Sequence, residues 1–312
     1  MDKEVYSEMR FIPADSFQMG ADNWYPEEKP ARRVRVDGFW IDETPVTNAA
    51  FAAFINATGY VTLAEIAPDC RDYPGLLPEL AQPGSAVFEM SAGPVDFAAP
   101  DWWEFRIGAN WRAPLGPGSS IKGIEDHPVV HIAYADAEAF AAWAGKALPT
   151  EAEWEFAARG GLDGADYAWG DELAPGGKFM ANYWQGDFPG HNQLDDGYLR
   201  TSPVRTYACN GHGLYDMIGN VWEWTTDWYA QPKIERKPRG ACCIPANPRG
   251  GTRGGSFDKR ALARIPRKVM KGGSHLCAEN YCQRYRPAAR YAQPIDTTTS
   301  HVGFRCVVRP AR

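Results

Sequence analysis

The residues best placed for chemistry are two cysteines, Cys277 and Cys282, with four residues between them in KGGSHLCAENYCQRYRPAAR. This spacing is not the C-x-x-C of a zinc knuckle or thioredoxin turn, and no second pair with nearby histidines completes a four-ligand zinc site. Two thiolates suit a soft ion of low coordination number. Copper(I) is the best candidate, because thiolates select it and a two-coordinate ion leaves room for a third sulfur from a substrate. Arg284, Arg286 and Arg290 follow closely, and near the sulfurs they would favour the ligating thiolate form. On spacing alone, buried structural thiols or a disulfide also account for the pair.

A second constellation is made of hard oxygens. ANYWQGDFPGHNQLDDGY and GLYDMIGNVWEW supply Asp195, Asp196, Asp216 and Glu223, with Asn182 as an amide oxygen. On irregular backbone that exposes carbonyls these suit calcium, the alternative being carboxylates merely solvated on loops. The six histidines form neither an H-E-x-x-H helix nor a His-rich iron triad, and no G-x-S-x-G elbow is present.

The elements that must hold these groups are few. In LPTEAEWEFAARGG, Thr150 and Glu153 form a capping box and Gly160 and Gly161 offer a left-handed stop. Further helices are predicted from Asp136 to Gly145 and from Thr47 to Thr58, where aromatic residues recur at helical spacing. Short strands are predicted at Arg33 to Val36, Phe39 to Ile41, Val129 to Ile132 and Phe304 to Val308. Long stretches rich in Gly, Pro, Asn and Asp lie between, the composition of functional or metal-stabilised loops. Lys233 to Lys268 is a basic loop insertion, with 11 Lys or Arg against Glu235 and Asp258; it reads as a solvated loop or a docking arm for an acidic partner.

The chain has 312 residues, 44% hydrophobic and 13% aromatic, with no linker dividing it, so one domain over 1–312 is expected. A net charge of -6 gives no general attraction to nucleic acid. No apolar run is long enough to cross a membrane and MDKEVYSEMRF lacks a signal peptide's apolar core, so a cytoplasmic location is expected. Seven cysteines at modest density do not read as a disulfide scaffold.

Together these segments resemble the formylglycine-generating enzymes, or sulfatase-modifying factors, from about Arg10 to Arg309. The matching phrases include FQMG, GANWRAPLG, DHPVVHIAY, AAWAGKALPTEAEWEFAARGG, NGHGLYDMIGNVWEWTTDW, KGGSHLC, YCQRYRPAAR and VGFRC. Most of them define a wider superfamily with non-catalytic and iron-dependent members. The cysteine pair is the discriminating feature.

The resemblance implies an α+β single domain related to the C-type lectin fold, low in regular secondary structure, with calcium-stabilised loops. One calcium would be held by Asn182 and Asp196 with the carbonyls of Tyr183 and Tyr198. A second would be held by Asp216 and Glu223 with the carbonyls of Gly219 and Val221; Asp216 stands where the family usually has Asn. Two disulfides of secreted relatives are absent, since Ala141, Ala158 and Pro287 occupy three of the four positions and leave Cys306 unpaired. Cys242 and Cys243 match no family position, and RGGSF at 253–257 imitates KGGSH without the cysteines.

The activity so implied is copper- and O2-dependent oxidation of a cysteine in a C-x-P-x-R motif of an unfolded sulfatase, or another protein, to formylglycine. The enzyme would be a monomeric oxidoreductase with no nucleic-acid or membrane partner. Ser274 and Tyr281 would line the oxygen and thiol pocket and Trp222 its apolar wall, while Arg290 would bind the peptide or anchor the site's loops. Glu65, Asp69 and Asp72 lie in an expected groove loop that would receive the substrate arginine. The alternatives are a copper oxidase of another thiol and a non-catalytic lectin-like binding module.

Overall fold

A computed structural model describes residues 6–93, 95–97, 100–231 and 244–310. Eleven strands and three helices are present among them. In chain order they are β1 (Met9–Ile12), β2 (Asp15–Met19), β3 (Arg32–Val36), β4 (Phe39–Asp42), α1 (Asn48–Thr58), β5 (Gly84–Phe88) and β6 (Trp103–Ile107). They continue as α2 (Tyr134–Trp143), α3 (Glu151–Arg159), β7 (Trp222–Trp228), β8 (Arg267–Lys271), β9 (Arg290–Pro294), β10 (Val302–Gly303) and β11 (Val307–Val308). The architecture is mostly sheet with few helices, in four small sheets joined by long loops.

All three expected helices form, for local reasons the sequence carries. Thr47 accepts from Ala50 N and Gly59, at φ 67°, closes α1 through Ile55 O. The α3 capping box forms, with Thr150 Oγ1 accepting from Glu153 N and Glu153 Oε2 from Thr150 N. Helix α2 starts earlier than expected because Asp136 caps from inside, its Oδ2 accepting from Ala133 N. Phe51, Phe54, Phe140 and Phe304 pack edge-on or stacked between α1, α2 and the segment linking β10 to β11, with Trp111 capping the cluster.

The strands diverge more from expectation. Val129 to Ile132 is buried but forms no strand, because His131 adopts a left-handed φ of 63° that breaks the pleat. Of Phe304 to Val308, only Val307–Val308 pairs, with β4. Strands β7 and β8 lie outside the expected set; most of their residues are buried on both faces, which erases the alternation that marks a strand.

The sheet that matters for function has the order β10-β7-β8-β9. Lys271 ends β8 opposite Arg290, which begins β9, so residues 272–289 form one long hairpin connection carrying both candidate cysteines. Such a connection is held by its ends. Lys271, fully buried, pairs with Glu155 at 2.9 Å, which also pairs with Arg159 at 2.8 Å and accepts from Gly20 N. These two cations hold the Glu155 carboxyl down at about 2 against its burial. Gly273 permits the loop to fold back, since a Cβ there would stand 2.8 Å from the backbone of Arg284.

Candidate active site

The C-x4-C spacing closes a turn: Cys277 N donates to Ser274 O and Cys282 N to Ala278 O, both at 2.9 Å. The two Sγ atoms are thereby brought to 3.3 Å, as free thiols rather than a disulfide. Arg284 places Nη1 3.7 Å from Cys282 Sγ, while its Nη2 pairs with Glu27 at 2.6 Å and its guanidinium covers the Tyr25 ring. Donation from the Cys277 thiol, reinforced by this guanidinium, holds Cys282 at about 6. Burial and the neighbouring sulfur push Cys277 up. One thiolate and one buried thiol in contact are a soft, sulfur-only donor set that fits copper(I).

Cys282 in Arg284→Gln is expected to titrate well above the 6 of the parent, because the neutral amide no longer favours the thiolate. The pH dependence of iodoacetamide alkylation at Cys282 measures this, and an unchanged midpoint would count against the guanidinium's part.

A cavity of about 260 Å³ opens over the sulfurs, and Cys277, Cys282, Ser274, Tyr281 and Trp222 all line it. The structure therefore gathers all five of the residues expected around the thiol pocket. Tyr281, 43% exposed, is the rim: it stacks on Phe188 at 4.5 Å and meets Trp102 edge-on at 5.5 Å. Burial pushes its phenol up to about 12, so the hydroxyl keeps its proton at neutral pH. Ser274 is fully buried, its Oγ accepting from Leu276 N. Trp102, Trp103, Phe188 and Tyr291 complete the wall beyond the expected set. They come from distant parts of the chain with no spacing to connect them; only the paired tryptophans of APDWWEF hint at a cleft.

Arg290 lies elsewhere. Its guanidinium grips Glu151 through both oxygens at 2.6 and 2.9 Å and donates to the carbonyls of Glu27 and Ala230, so the structure shows it tying loops together. Glu65, Asp69 and Asp72 do not line the thiol cavity. Glu65 caps Thr62 and faces Arg112 at 3.7 Å, and Asp69 pairs with Arg71. Cys242 and Cys243 fall outside the described residues. RGGSF begins with an exposed turn at Arg253–Gly255.

The oxygen sets sit behind the thiol loop. Asn182 Oδ1 and Asp216 Oδ1 are buried without a hydrogen-bond partner, one in each expected calcium set. A buried acceptor left unmatched is costly, and a hard cation would satisfy it. Asp196 accepts from Tyr198 N and Tyr207 Oη, and burial raises its pKa. Burial likewise pushes Asp216 up to about 6. The second set is less free than expected, because both Glu223 oxygens already accept from Arg305 and one also from Trp154 Nε1. These loops touch the thiol loop directly: Asn220 N donates to Asn182 O, His275 N to Asn220 O and Trp184 N to Cys277 O.

Beneath the cavity, burial pushes His131 and His275 down to about 4 and His301 to about 3. A histidine whose folded pKa lies below its unfolded value of 6.5 contributes stability that is complete above pH 6.5 and is lost as pH falls towards the folded value. The buried carboxyls of Asp136 and Asp216, held up at about 6, work in the opposite sense. The contribution is therefore read by difference. Relative to His131→Asn, the parent should lose up to about 1.4 kcal/mol per pH unit below 6.5 in urea denaturation. A difference that does not change with pH would contradict neutral burial of His131.

A sheet-centred, loop-rich domain with paired thiols under an aromatic cavity defines a narrow class. Residues 1–310 match the family described as sulfatase-modifying factor enzyme 1-like domain, and the chain belongs to that family. Within it, the chain is 51% identical over 310 residues to a formylglycine-generating enzyme of Mycobacterium tuberculosis, covering 98% of this chain and 99% of that one. It is also 36% identical over 320 residues to the inactive C-alpha-formylglycine-generating enzyme 2 of Mus musculus, covering 97% of this chain and 86% of that one. Among solved structures, PvdO from Pseudomonas aeruginosa shares the fold at a TM-score of 0.59 and 23% identity, over 96% of this chain and 94% of that chain.

Proposed function

We propose that this protein oxidises a cysteine in a C-x-P-x-R segment of a sulfatase, or another polypeptide, to formylglycine, using O2 and copper(I) held by Cys277 and Cys282. The observation that carries the proposal is the pair of free thiols 3.3 Å apart in an aromatic-walled cavity. The near-full-length likeness to a formylglycine-generating enzyme supports it. Copper(I) on these sulfurs would supply the one-electron exchange with O2 that a thiol and a carbon–hydrogen bond do not undergo unaided.

The chain's own residues do the rest. Arg284 keeps Cys282 in the ligating form, and the turn from Ser274 to Cys282 fixes the separation of the sulfurs. Trp102, Trp222 and Phe188 exclude water, and the cavity has room for one further thiol side chain. Tyr281 holds a neutral hydroxyl at the rim, placed to orient the entering peptide. Overall, the target CH2–SH, O2 and two equivalents of an external thiol give the aldehyde, hydrogen sulfide, one water and a disulfide. A cysteine without its protein fold reaches such a cavity most readily, so the substrate is an extended segment presented before its protein folds.

We further propose calcium at the two oxygen sets and a relation to the C-type lectin fold, with the loops rather than regular elements framing the site. Chelation should lower the thermal midpoint, and Asp216→Ala should lower it in calcium buffer while shrinking the response to chelator. Differential scanning fluorimetry reads both. A midpoint indifferent to chelator and calcium would remove the metal from both sets and leave the thiol site standing.

A further inference from the structure

Alongside the thiol cavity lies a larger cleft of about 1020 Å³. Strand β9 is their shared wall, since Arg290 lines the cleft and the next residue, Tyr291, lines the thiol cavity. The Glu27–Arg284 ion pair joins them as well, with Glu27 in the cleft and Arg284 against Cys282.

The charges of this cleft do not balance. Its five carboxylates, Glu27, Glu28, Glu151, Glu155 and Asp258, each already hold a cation: Arg284, Arg286, Arg290, Lys271 with Arg159, and Arg267. Arg249 also lines it, paired with Asp227 at 3.0 Å, and four further exposed cations do so as well: Lys29, Arg32, Lys259 and Arg260. None of the four has a carboxylate partner among the described residues; Arg32 reaches only Met19 Sδ, and Arg260 meets Asp258 through its backbone N–H. Two of them, Lys259 and Arg260, belong to the basic insertion. A concave wall of uncompensated positive charge concentrates and orients anionic partners.

We infer that this cleft binds an acidic stretch of the target polypeptide on the amino-terminal side of its reactive cysteine. The side follows from the proposed motif, on which this inference rests: the residues after the cysteine include an arginine, which four unpaired cations would repel. At roughly 3.3 Å per extended residue, Asp or Glu within about ten positions upstream can reach the cleft while the cysteine sits over Cys282. The preferred substrates are therefore sulfatase-like chains with an acidic lead into the motif. Selectivity for them is electrostatic and weakens with salt.

The test uses equilibrium binding, so that it does not depend on turnover. Fluorescein-labelled peptides carrying Ser in place of the reactive cysteine, with acidic, uncharged or lysine-rich leads, are titrated with the full-length, copper-free protein and followed by anisotropy. The acidic lead should bind about 10-fold more tightly than the uncharged one near 50 mM salt, an advantage that largely disappears near 0.5 M. In K259E/R260E two cations and two carboxylates would face each other, so the advantage of the acidic lead should disappear. Equal affinity of the parent for all three leads near 50 mM salt, or an acidic preference kept both in high salt and in the double variant, would overturn the inference. If the variant does not fold, the salt series on the parent decides alone. Cysteine-containing versions separate this inference from the proposed reaction. Tight acidic binding without conversion by copper-loaded protein sinks the reaction and leaves the cleft, and conversion indifferent to the lead sinks the cleft alone.

Discussion

Cys282→Ser is expected to abolish tight copper(I) binding and to reduce conversion of a C-x-P-x-R peptide by about 10³-fold or more. A serine hydroxyl stays neutral at pH 7 and is a hard donor, so the substitution removes the one sulfur that this site holds as thiolate. Cys277 cannot replace it. Burial pushes Cys277 towards the neutral thiol, and its partner at 3.3 Å would be an alcohol. Cys282 is half-buried at the edge of the core, so the fold should survive an exchange of sulfur for oxygen with less than about 1.5 kcal/mol lost. Competition with a chromophoric copper(I) chelator measures the affinity, and an unchanged thermal midpoint shows the fold intact. A folded variant that still takes copper(I) as tightly as the parent would place the metal elsewhere.

The largest stability effect should come from Arg305→Met in calcium-free buffer. Arg305 is fully buried, grips Glu223 at 2.8–3.0 Å, and donates to the carbonyls of Asp42, Glu43, Tyr215 and Asp216. It is the rivet between β4, β7 and the loop before β7. Methionine removes the charge and leaves the Glu223 carboxylate buried beside Trp154 alone, which costs about 3–5 kcal/mol. That is a large share of the roughly 5–15 kcal/mol that holds a domain together. The double change Arg305→Met with Glu223→Leu should regain much of the loss, because no lone charge remains. Urea denaturation of the three proteins gives the comparison. A loss below about 1 kcal/mol for the single variant would mean that water or another cation already serves Glu223. By contrast, the Arg33–Asp163 pair, both about half exposed, should contribute at most about 1 kcal/mol.

Features that depend on neighbouring residues are legible in the amino-acid sequence. The capping box at Thr150 and the stop at Gly160 mark one helix because capping is local, and the cysteine spacing locates the thiol site because it sits inside one turn. Features that need distant parts of the chain to meet are not legible. The cavity wall unites Trp102, Phe188 and Tyr291, which no periodicity relates. Arg290 holds loops, one of its two expected roles, but the groups it ties, Glu151, Glu27 O and Ala230 O, are related by no local spacing. Strand β7 is hidden because consecutive buried residues look alike to a period-two reading. The Glu223–Arg305 pair is also out of reach, since 82 residues separate the partners.

The most direct test of the central claim is mass spectrometry of a peptide containing Leu-Cys-Thr-Pro-Ser-Arg after incubation with copper-loaded protein, O2 and a thiol reductant. The expected result is the mass loss of thiol to aldehyde, a product trapped by hydrazide, and no such product without O2 or with Cys282→Ser. An unchanged peptide beside tight copper(I) binding would keep the metal site and contradict the assigned reaction.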